Sequence, residues 1–210
     1  LDYLRTIAGG EVEITSRTLD DRFWIVVYVV DDGPVRYYLY DRQSREARFL
    51  FTNRSALEGQ PLVKMHSDIV KSRDGLDLVA YYSLPAESDS KGDGLPDHPV
   101  SMVLIPHGGP WARDLWGYNP LHQWLANRGY AVLAVNFRAS TGFGKTFTNA
   151  GKLEWGRKIM DDQQDAVHWA IARGIAGPQR VAVMGGSFGG YSTLAGLTFT
   201  PEVFACGVAI

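Results

Sequence analysis

The sequence predicts an α/β fold, a mostly parallel sheet with helices on both faces, preceded by an all-β segment. Three observations predict it. Residues 1–60 hold β-branched and aromatic runs separated by short polar turns. From Pro61 onward, short unbroken apolar runs alternate with helical patterns. A glycine-rich turn, Gly185-Gly186-Ser187-Phe188-Gly189-Gly190, then joins one such run to one such helix.

In the first segment Trp24 to Val30 is an extended run, and Asp31-Asp32-Gly33-Pro34 ends it. Val35 to Tyr40 resumes, Asp41-Arg42-Gln43-Ser44 turns again, and Ala47 to Phe51 follows, with Glu11 to Ile14 as a possible fourth strand. Such a set is one sheet, either a single propeller blade or a stand-alone meander. After Pro61, Val63 to Ser72 and Leu76 to Leu84 read as a hairpin turning at Arg73-Asp74-Gly75. Val100 to Ile105, Tyr130 to Val135 and Arg180 to Met184 read as strands covered on both faces. Asn119 to Arg128 and Asp161 to Arg173 read as helices stopped by Gly129 and Gly174. A last helix is expected over Gly190 to Phe199 and a last strand from Ala205.

Composition removes several function classes. The 210 residues are 45% hydrophobic and 21% charged, with net charge -2, so no basic stripe suits nucleic acid. No apolar run approaches the roughly 20 residues a membrane helix needs. Cys206 is the only cysteine, which excludes an intrachain disulfide or a Cys-ligated zinc site and leaves the compartment undecided. No cofactor and no metal site is expected. The chain begins at Leu1 inside patterned sequence and stops at Ile210 inside an apolar run, so it is expected to be a piece of a longer protein.

The Ser187 turn carries the chemistry. It contains G-x-S-x-G, follows Val181-Ala182-Val183-Met184 and opens a helix, the context of a nucleophile elbow in the α/β-hydrolase fold. Gly185 and Gly189 leave room for strand and helix to approach, which lifts the serine hydroxyl clear of the sheet. The alternative, a phosphate or dinucleotide loop, lacks Gly-Lys-Ser/Thr and does not fit G-x-G-x-x-G. The second signal, His107-Gly108-Gly109-Pro110, follows what counts as the third strand of the sheet, whose loop in this fold supplies an oxyanion donor. The expected donors are the amides of Gly109 and Phe188. An ordinary turn is the alternative for residues 107–110, and His107 itself reads as structural, bonding neighbouring backbone.

His107-Gly-Gly-Pro-Trp111, Asn136-Phe137-Arg138-x-Ser140-Thr141-Gly142-Phe143-Gly144 and the Ser187 elbow together resemble the catalytic domain of prolyl oligopeptidase-type serine peptidases. The acylaminoacyl-peptidase and dipeptidyl-peptidase-like branch is the nearest. The resemblance implies residues 1–60 as the last blade of a β-propeller and residues 61–210 as the first part of the catalytic domain. It implies hydrolysis of short peptides through an acyl-enzyme on Ser187, with Trp111 beside the oxyanion loop as a substrate-binding residue. Ala139 stands where the family commonly has Gly, and Phe188 where Tyr is frequent. The family's acid and base follow the nucleophile, whereas His66, His98, His107, His122 and His168 all precede Ser187, so Asp and His are expected beyond residue 210. An esterase on the same fold, or a propeller-containing interaction protein with a decayed hydrolase domain, are the alternatives.

Weaker signals have bland readings. Asp89 to Asp97 echoes a calcium loop, but Lys91 occupies a ligand position and no Glu closes it, so a polar surface loop is expected. Asp161, Asp162 and Asp165 are expected on a solvated helix face. Trp116 and Tyr118 are further cleft candidates, Trp124 reads as core, and Ser140 to Lys145 as a cleft-side loop.

Overall fold

A computed structural model describes residues 1–210, which divide into two units. One comprises Leu1–Leu62 with Gly117–Asn119, the other Val63–Trp116 with Pro120–Ile210.

The first unit is a four-stranded antiparallel meander with the form of one propeller blade: β1 (Glu11–Arg17), β2 (Phe23–Val29), β3 (Arg36–Asp41) and β4 (Glu46–Thr52) in spatial order β1-β2-β3-β4. The expected fourth strand is therefore a full element. Val26, Tyr28 and Tyr40 are buried with Leu4 from the short helical turn before β1. The Tyr28 hydroxyl donates to the Leu4 carbonyl at 2.7 Å, which satisfies the one polar atom that this ring buries. Cross-strand rings, Tyr37 stacked on Phe51 at 4.8 Å and Tyr38 edge-on to Phe49 at 5.4 Å, hold β3 to β4.

The second unit is a six-stranded mixed sheet. In chain order its elements are β5 (Met65–Lys71), β6 (Asp77–Ser83), β7 (Val100–Leu104), α1 (Pro120–Ala126), β8 (Tyr130–Val135), α2 (Lys145–Asn149), α3 (Lys158–Ala172), β9 (Ala176–Gly185), α4 (Phe188–Phe199) and β10 (Cys206–Ala209). The strand order is β10-β9-β7-β8-β6-β5. The pairs from β10 to β8 are parallel, and the hairpin β5-β6 joins β8 antiparallel. Side chains alternate across each strand, so Val103 and Val132 pack with Leu125 of α1, while Met102, Leu104 and Leu133 join Ala166, Val167 and Ala170 of α3. Helices thus cover both faces, as a parallel core sheet requires.

Several expectations need correction. The strand over residues 180–184 begins earlier, at Ala176, and the last helix begins directly after Ser187 rather than at Gly190. The short α2 was not anticipated. Trp124 is not core: α1 turns Leu125 and Ala126 inward and leaves Trp124 49% exposed. The acids of α3 do not form a solvated face either. Asp162 is fully buried against Arg138, and Asp161 and Asp165 grip Arg73 of the β5-β6 turn at 2.9 and 2.8 Å.

Candidate active site

The turn between β9 and α4 holds Ser187 at φ 55°, ψ -121°, a left-handed backbone that non-glycine residues avoid. Two glycines make this turn possible. A Cβ on Gly185 would meet the carbonyl carbon of Gly189 at 2.5 Å, and one on Gly189 would collide with the carbonyl oxygen of Pro106. The strand, the helix and the loop after β7 therefore converge where only hydrogens fit. Ser187 itself is exposed, its amide donates to the Ile210 carbonyl at 2.9 Å, and its carbonyl accepts from the Tyr191 amide at 3.0 Å. Phe188 begins the 12-residue α4, so its amide belongs to the first turn, where N–H groups lack intrahelical acceptors and the helix dipole favours negative charge.

The loop after β7 runs past this turn. A Cβ on Gly108 would lie 3.7 Å from the Ser187 Cβ, which measures how close the two segments are. Gly109 has φ 122°, and a Cβ there would meet the Trp111 amide at 2.5 Å, so the chain doubles back tightly. His107 anchors the loop from behind. Its Nδ1 lies 2.7 Å from the Gly108 carbonyl oxygen, its Nε2 lies 2.8 Å from Ser140 Oγ, and its ring stacks on Phe137 at 4.2 Å. Burial pushes its pKa down, against the Gly108 contact. The Ser140 hydroxyl donates to the Phe137 carbonyl at 2.6 Å, and its oxygen lies against Nε2 while Nδ1 faces the Gly108 carbonyl. Both nitrogens are engaged in holding the loop, in keeping with a structural reading of this histidine.

The other histidines are placed elsewhere. His122 is buried, with Nδ1 3.1 Å from Ser83 Oγ, and burial pushes it down to about 4. His66 stacks on Tyr82 at 5.0 Å, and His98 and His168 are exposed.

Aromatic rings continue from the nucleophile. The buried Phe188 ring meets Phe137 at 5.8 Å, Tyr191 at 5.5 Å and Trp155 edge-on at 4.9 Å. Trp155 in turn lies 6.2 Å from Trp111, which is 62% exposed. Trp155 and Tyr191 escaped the sequence reading. Trp155 stands in a loop without periodicity, and Tyr191 lies inside a helix that is apolar nearly all round. Trp116 is half-buried, and its indole donates to the Met65 carbonyl at 2.8 Å. Tyr118 belongs to the first unit, beneath the Arg54 guanidinium at 5.2 Å.

Arg138 is the other residue that sequence reasoning quoted without assigning a role. Its guanidinium contacts both carboxylate oxygens of Asp162, at 2.8 and 2.6 Å, and both of Asp74, at 2.9 and 2.7 Å. Its amide adds a further bond to Asp162 at 2.8 Å. Burial pushes the Asp162 carboxyl up, opposed by Arg138, and donors on both oxygens keep it a carboxylate. The bonds to Arg138, with Ser72 adding another, hold Asp74 well below the ordinary range. In the Asp89–Asp97 loop the carboxylates bind their own backbone: Asp89 accepts from Asp93 and Gly94, and Asp97 from Ser90.

With this geometry in view, the likeness to known proteins can be placed. Residues 116–210 match the prolyl oligopeptidase family. That stretch holds the Ser187 turn. It is 55% identical to dipeptidyl aminopeptidase BIII of Pseudoxanthomonas mexicana over the whole chain, which spans 30% of that relative. Mouse acylamino-acid-releasing enzyme is 33% identical over 134 residues, 64% of this chain and 18% of the relative. The acylaminoacyl peptidase of Pyrococcus horikoshii superposes with a TM-score of 0.77 over 97% of this chain and 31% of its own, at 23% identity, which shows the fold. That fold is an α/β-hydrolase sheet preceded by a blade-like antiparallel sheet.

Proposed function

We propose that this chain supplies the nucleophile half of a serine peptidase active site, acting on short peptides by acyl transfer to water. Ser187 attacks the scissile carbonyl, and the amides of Gly109 and Phe188 hold the oxyanion that forms. The observation that carries this reading is the left-handed Ser187 at a strand-helix turn, packed against the His107–Pro110 loop. A decayed elbow would have no need of Gly185 and Gly189, whose positions tolerate no side chain.

Residues 1–60 are read as the final propeller blade and residues 61–210 as the first part of the catalytic domain. The exposed Trp111, with Trp155 beside it, offers an apolar wall to the substrate. The base and acid of the triad come from outside this chain, which spans about 30% of the dipeptidyl aminopeptidase it matches. The names of the relatives favour peptide bonds over simple esters, cleaved near a free or an acylated N-terminus. The test is turnover by the protein as the cell makes it. Dipeptidyl and acylaminoacyl anilides should be cleaved, and Ser187→Ala should not cleave them. Cleavage of simple esters with no anilide turnover would support the esterase instead.

A further inference from the structure

The buried ion cluster around Arg138 has no place in the chemistry above, yet its neighbour in sequence touches the oxyanion loop. Arg138 is 2% exposed, at the end of the segment leaving β8. Its amide and guanidinium are both bonded to Asp162 near the start of α3, and its guanidinium also holds Asp74 in the β5-β6 turn. Helix α3, the β5-β6 turn and the segment after β8 are thereby held together by one side chain. Two residues on, buried Ser140 bonds His107 Nε2 at 2.8 Å, while His107 Nδ1 bonds the Gly108 carbonyl. Ala139 between them is fully buried at φ 87°, a backbone that an L-residue keeps only when its surroundings hold it there.

We infer that Arg138 is a positioning residue for the oxyanion donor of Gly109, acting through Ser140 and His107. The inference rests on the peptidase reading above. The chain of contacts is continuous: Asp162 and Asp74 fix Arg138, Arg138 fixes the course of residues 138–140, the Ser140 hydroxyl fixes the imidazole, and the imidazole fixes the Gly108–Gly109 peptide. Arg138 touches no reacting atom, so its effect belongs to the transition state rather than to substrate binding. A planar fork meeting two carboxylates is needed for this, and a lysine at the same place keeps the charge without the geometry.

The experiment compares Arg138→Lys, Ser140→Ala and the double variant in the protein as the cell makes it. Turnover of a dipeptidyl anilide and inhibition by a peptide aldehyde, which forms a tetrahedral adduct, are measured well below each variant's melting midpoint. Each single variant should lower kcat about tenfold or more with KM within about threefold, and weaken the aldehyde in proportion. The double variant should be little worse than the worse single one, because both act along one chain of contacts. A lower melting midpoint with kcat and aldehyde affinity unchanged would mean that the cluster is structural only and would overturn the inference. Multiplying effects in the double variant would overturn the route through Ser140. Should Arg138→Lys fail to fold, Asp74→Asn, whose side chain is 36% exposed, removes the outer half of the clamp and is held to the same outcomes. Retained turnover in Ser187→Ala is a separate result that counts against the peptidase reading itself.

Discussion

The Nδ1 of His107 lies 2.7 Å from the carbonyl oxygen of Gly108, and that carbonyl shares a peptide plane with the Gly109 amide. Fixing one end of the plane fixes the other, so the imidazole sets where the Gly109 N–H points. His107→Ala should therefore lower kcat about 10²- to 10³-fold with a much smaller change in KM, as loss of one oxyanion donor does. Steady-state kinetics on a chromogenic peptide check this. A variant that raises KM alone would place His107 in substrate binding.

Gly189 faces the Pro106 carbonyl with no space for a methyl group. Gly189→Ala must push α4 away from the loop after β7, separating Ser187 from Gly109. The expected outcome is a loss of at least about 2 kcal/mol of stability together with loss of Ser187 labelling by an active-site probe. Denaturant melts and labelling rates measure the two effects.

A Cβ on Gly151 would collide with the Cβ of Ala139. The methyl group that this chain carries at Ala139 is thus accommodated by the absence of one at Gly151. Gly151→Ala should cost about 1–3 kcal/mol, and adding Ala139→Gly should restore at least half of it. Thermal melts of the two singles and the double form the cycle, and simple additivity would contradict the pairing.

Asp114 has Oδ2 sealed from solvent without a hydrogen-bond partner, and burial pushes its carboxyl up to about 7. Because the folded pKa lies above the unfolded one, the stabilisation is full below about pH 4 and is lost as pH rises through about 7. Asp114→Asn should then raise stability at pH 8 relative to pH 4, by at most about 4 kcal/mol. Urea melts across that range would show it, and a variant difference independent of pH would contradict it.

The elements most legible in the sequence were those whose pattern is local. The runs Val100 to Ile105 and Tyr130 to Val135 are β7 and β8 almost to the residue, because a strand covered on both faces has no polar interruption. The elbow was legible because its glycines answer a steric demand confined to a few residues. What escaped depends on residues far apart in the chain. Asp162 reads as one more helix acid until Arg138 is seen to bury it. Trp155 has no periodic partner until the fold sets it against Phe188. Trp124 was misread because α1 turns His122, Gln123, Leu125 and Ala126 inward, which puts position 124 on the opposite side.

If Ser187 is the nucleophile, it carries the covalent adduct of a serine-directed probe. The protein as the cell makes it is treated with a fluorophosphonate, and the modified residue is located by peptide mass mapping. The expected result is one adduct, on Ser187, absent in Ser187→Ala. An adduct on another serine, or undiminished labelling of the alanine variant, would contradict it.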